Sequence, residues 1–109
     1  MNDRELLEAA AKAAGIKALR CPHGVLRNCT GLDPATNIFS APPWRPLTDD
    51  GDALRLAVER GYVINIDKAV GRVTAGVWSN GGESASEPLG ADPCAATRRA
   101  IVRAAAALA

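Results

Sequence analysis

Two short runs, "YVINID" at 62–67 and "RVTAGVWS" at 72–79, are separated only by "KAVG". Val63, Ile64 and Ile66 are β-branched. Val73, Ala75 and Val77 alternate with Thr74 and Trp78, the two-residue period of a strand. Four connecting residues are too few for a crossover, so the pair is predicted to be an antiparallel hairpin. "IKALR" and "GVLRN" form a second such pair across the turn-favouring "CPHG".

Three helices are expected around these hairpins. The first is capped by Asn2, with Glu5 in the capping-box position and Gly15 as terminator. Its stripe is Leu6, Leu7, Ala10, Ala13 and Ala14. The second is capped by Thr48 or Asp49, packs through Ala53, Leu54, Ala57 and Val58, and ends before Gly61. The last starts at Asp92 with Pro93 in the first helical position, and turns Thr97, Ile101, Ala104, Ala105 and Leu108 inward. The order α-β-β-α-β-β-α predicts one domain over 1–109. It would be a small α/β (α+β) sandwich with a four-stranded, mostly antiparallel sheet packed with three helices. "NGGESASEPLGA", residues 80–91, reads as a mobile loop. Residues 29–48 carry four prolines and no clear period.

Composition matters at this point because alanine supplies 22 of the apolar residues. Alanine buries little area, so the core is thin for 109 residues and a second copy or another protein is expected to cover a further face. A net charge of +1 creates no strong field towards nucleic acid or membrane. No apolar run is long enough to span a bilayer, and the polar start "MNDRELLEAA" does not resemble a secretory leader. Three cysteines, an odd number, speak for a reducing cytosol.

The candidates for chemistry are few. Asp49, Asp50 and Asp52 lack the spacing of a calcium loop. They suit a helix start, where Asp49 caps, Asp52 bonds back to the cap residue's N–H, and the acids meet the positive end of the helix dipole. Cys21, His23, Cys29 and Cys94 are a permitted zinc set, but C-x-H-x5-C lacks the usual paired-ligand spacing, so no metal or cofactor is expected. A thiol nucleophile at Cys94, or at Cys21 or Cys29 with His23, is the one enzymatic reading the residues offer, and no orienting third residue accompanies it. Arg98, Arg99 and Arg103 gather on the last helix, as a solvated face or a phosphate-binding one.

At "WRPLTDDGDALRLAVERG" joined to "DPCAATRRAIVRAAAALA" the chain resembles the phage alpha-beta-alpha sandwich domain, a family of small phage and prophage proteins. Trp44, Pro46, Leu47, Asp49, Asp50, Ala53 and Leu54 carry the first motif. Asp92, Pro93, Ala95, Ala96, Arg98, Ala100, Ile101 and Val102 carry the second. Residues 21–43 depart from the pattern as a Cys- and Pro-rich insertion. The resemblance implies a fold and a phage origin, with no catalytic residue to carry over.

The expected function is that of a non-catalytic phage accessory protein binding a host protein, most concretely as a counter-defence inhibitor of anti-CRISPR type. A homodimer is also expected. A nucleic-acid binder using the arginines is the alternative, and a zinc-stabilised module the third. The candidate contact residues are Ile38, Phe39, Trp44, Trp78, Arg98, Arg99 and Arg103.

Overall fold

The computed structural model describes residues 2–16, 18–20, 26–28, 43–77 and 83–107. Its order is α1 (Asp3–Ala13), β1 (Ala18–Arg20), β2 (Leu26–Asn28), α2 (Asp50–Arg60), β3 (Val63–Asp67), β4 (Arg72–Gly76), β5 (Ser84–Pro88) and α3 (Pro93–Ala106). The fold is mixed α+β. Among the described residues the strands form a two-stranded ladder, β1-β2, and a three-stranded sheet, β3-β4-β5, where one four-stranded sheet was expected. All pairings are antiparallel.

The helix starts follow local chemistry. Asn2 Oδ1 accepts from Glu5 N at 2.8 Å, Asp49 Oδ2 from Asp52 N at 2.8 Å, and Asp92 Oδ1 from Ala95 N at 3.1 Å. Each satisfies an N–H that the helix itself leaves without a partner. Helix α2 stops at Gly61, whose φ of 69° is costly for any residue with a Cβ.

The hairpin β3-β4 forms as expected, and Val73 and Ala75 are buried on one face. The segment read as a mobile loop is different: Ser84–Pro88 is strand β5, paired along β4 from Gly76↔Ser84 to Arg72↔Pro88. Ser, Glu and Pro are poor strand formers, so nothing local announces it. The strand exists because Ala85 lies opposite Ala75 and α3 packs across both strands.

Helix α3 is the hub. It meets α1, α2, β4 and β5. Ala100, Ile101, Val102, Ala104, Ala105 and Ala106 are buried around most of its circumference, leaving the side of Arg99 and Arg103 open. Alanine lets two helices and two strands approach one helix closely, which is what the alanine excess accomplishes.

Helix α2 corrects its predicted stripe. It buries Ala53, Leu56 and Ala57, while Leu54 is 60% and Val58 73% exposed. Two stripes compete on this helix. The one chosen by packing includes Arg60, a charged residue that an apolar stripe does not count. Because α2 packs chiefly on α3 and not over β3, Leu54 and Val58 find no cover.

Candidate functional site

The acids at the start of α2 are all engaged. Asp49 caps the helix, and Thr48 belongs to the preceding turn, where its N–H meets Arg45 O at 3.1 Å. Asp52 does not bond back to Asp49 N–H, because Arg45 O already holds that donor at 2.8 Å. It accepts instead from Arg45 N at 2.9 Å and pairs with Arg55. The hydrogen bond to Asp52 is the main reason the Arg55 guanidinium is held above its usual pKa. Asp50 pairs with Arg98. Among the described residues, no group of three or more His, Cys, Asp or Glu side chains could hold a metal ion.

The arginines offered as a contact face are tied into the fold. Arg98 Nε donates to Leu47 O at 3.0 Å while its Nη1 holds Asp50, which joins α3 to the approach and start of α2. Arg99 bridges Asp3 of α1 at 3.1 Å and Glu87 of β5 at 3.3 Å. Arg103 reaches Glu87 at 2.6 Å. Each of these three guanidiniums therefore faces a carboxylate of another element.

Trp44 could pin its loop to the core or face a partner, and the structure shows the pin and corrects the contact reading. It is 5% exposed, belongs to the core, and donates its N–H to Leu26 O at 2.8 Å. It anchors the approach to α2 and offers no surface to a partner. Ile38, Phe39, Trp78, Cys21, His23, Cys29 and Leu108 lie outside the described residues, as does most of the 21–43 insertion. Cys94 is free and exposed in the first turn of α3.

One polar cluster escaped the sequence reading. Glu83, 3% exposed, accepts at Oε1 from Arg60 Nε and from Tyr62 Oη, both at 2.6 Å. Arg60 Nη1 also donates to Ala13 O at 3.1 Å, closing the end of α1. The Arg60 hydrogen bond, reinforced by that of Tyr62, holds the Glu83 carboxyl below its usual pKa against the opposing effect of burial. Burial first, then the Glu83 carboxylate, drives the Tyr62 phenol upward, out of reach of physiological titration. Every acceptor bond here stabilises a charge that stays put, so the cluster clamps the ends of α1 and α2 to the start of β5. Separations of 21 and 23 residues hide it from any local pattern.

Gly76 makes the clamp possible. A Cβ on it would stand 2.5 Å from Glu83 O and 2.6 Å from Ser84 Cβ. Only glycine lets β5 start close enough to β4 to turn Glu83 inward.

Five large aliphatic groups remain exposed among the described residues. Leu54 and Val58 lie one turn apart on α2, and Val63, Ile66 and Val70 lie on β3 and its turn, from 44% to 73% exposed. No helix among the described residues is long and apolar enough to cross a membrane. The chain matches no family model, no curated protein and no solved structure.

Proposed function

We propose that this is a non-catalytic accessory protein of phage or prophage origin that binds a host protein, most concretely as an inhibitor of a defence system of the anti-CRISPR kind. The observation that carries a binding role is the exposed apolar surface of α2, where Leu54 and Val58 stand open on a well-capped helix. Large aliphatic groups left one turn apart on a helix are the anchors of helix-in-groove recognition. The ion-paired state of Arg98, Arg99 and Arg103 favours a protein partner over nucleic acid. The phage origin rests on the resemblance carried by the two helix-start motifs.

The test is affinity capture from host cells with the tagged protein and with Leu54→Asp/Val58→Asp, two changes at exposed positions that leave the core intact. A host protein retained by the native chain and lost with the double variant is the expected result. Equal capture by both, or no specific capture by either, would remove this surface from the proposal.

A further inference from the structure

The two edges of the three-stranded sheet are built differently. Val77 N donates to Glu83 O at 3.0 Å and Leu89 N to Gly71 O at 2.9 Å, at the two ends of the β4-β5 ladder. Hydrogen-bonding direction alternates along an antiparallel strand, so the odd-numbered residues of β4 face β5 and the even-numbered ones face β3. With Asn65 opposite Thr74, it follows that Val63, Asn65 and Asp67 bond to β4, and that Ile64 and Ile66 turn their N–H and C=O outward.

The β5 edge is closed. Its outward residues include Pro88, which has no N–H, and Ser86, whose carbonyl accepts from Arg103 Nη1 at 3.3 Å. The β3 edge has no such device. Its pairing to β4 runs without a bulge, it contains no proline, and among the described residues no hydrogen bond reaches the outward groups of Ile64 and Ile66. Ile66 shares a face with buried Val73 and Ala75 yet is 50% exposed.

We propose that β3 is the seam of a homodimer, pairing antiparallel with β3 of a second copy about a two-fold axis through Asn65. The strand is its own complement in this register. Ile64 of each copy lies opposite Ile66 of the other, outward groups meet outward groups, and two hydrogen-bonded pairs form. The sheet then runs β5-β4-β3-β3-β4-β5, and each half-exposed Ile66 gains an isoleucine neighbour.

The charge pattern selects the same register. Residues 61–66 carry no charge, and Asp67 and Lys68 stand at the strand end. With the axis at Asn65, Asp67 faces Val63 of the other copy and the two Asp67 sit about 13 Å apart along the strands. An axis at Asp67 would set carboxylate against carboxylate, which opposes pairing. The uncharged, self-complementary stretch therefore fits a second copy better than an unrelated strand.

The test is sedimentation across concentration, from about 5 to about 500 μM, which brackets the weak association expected of a small interface. The expected result is a rise from 11.3 kDa towards twice that mass. Ile66→Pro removes an outward N–H and the seam isoleucine, leaves the ladder to β4 whole, and is expected to stay monomeric with an unchanged circular dichroism spectrum.

A cysteine pair gives a second readout should Ile66→Pro unfold, in a background with Cys21, Cys29 and Cys94 changed to serine. Asn65→Cys brings two Cα atoms to about 4.5 Å across the axis, within disulfide range, and is expected to cross-link on mild oxidation. Val63→Cys, on the same face but about 13 Å from its copy, is expected not to. A native chain that stays monomeric throughout would overturn the proposal. So would a dimer indifferent to a folded Ile66→Pro, or equal cross-linking at 63 and 65.

Discussion

Arg60→Ala is the most informative single change, because it removes one side of a buried pair and leaves the other. The Glu83 side chain is 4% exposed and that of Arg60 24%. After the change, the Glu83 carboxylate keeps only Tyr62 Oη, and Ala13 O loses its donor. Removing one partner from a buried pair costs about 3–5 kcal/mol, and the partial exposure of Arg60 places this pair at the lower end, about 3 kcal/mol. That is a fall in the folding constant of roughly a hundredfold and a drop in Tm of about 10–20 °C.

The pH dependence supplies the sign. The folded pKa of Glu83 is lowered, so its contribution is complete above the unfolded value near 4.3 and is lost as pH falls through the folded one. Without Arg60 the carboxyl is no longer held down, and burial favours its neutral form. Urea unfolding of both proteins at pH 7 and near pH 3 should therefore show a large difference that shrinks in acid, with unchanged m. A loss under about 1 kcal/mol at pH 7, or one that does not shrink in acid, would refute the clamp.

Two further outcomes follow from the same geometry. Trp44→Ala should cost about 3–5 kcal/mol, read by thermal unfolding, because the ring is core and not contact surface; an unchanged Tm would return Trp44 to the candidate partner face. Gly76→Ala should cost at least 1–3 kcal/mol by urea titration, since its Cβ meets backbone that cannot swing aside. A neutral result there would mean that β5 can shift without disturbing Glu83.

The helix boundaries were legible because caps are local. Asn2, Asp49 and Asp92 each act on a backbone N–H three residues away, within sight of any reader of the chain. The β3-β4 hairpin was legible for the same reason. Strand β5 was not, because Ser84–Pro88 pairs only where Gly76 permits the approach and α3 covers Ala85. The buried side of α2 was misread because the stripe that packs ends on Arg60, whose charge is matched only by Glu83, 23 residues on. The arginines of α3 looked available until Asp3, Asp50 and Glu87 came from three separate elements to meet them.

By itself, then, the sequence determined where helices begin and end, where one hairpin turns, and that an alanine-rich chain has little large apolar area to bury. Tertiary structure decided which charges are spent inside the fold, which aliphatic groups stay open, and which sheet edge is closed. Capping and turn formation depend on neighbours a few residues apart. Burial and charge pairing depend on partners that only the folded chain brings together.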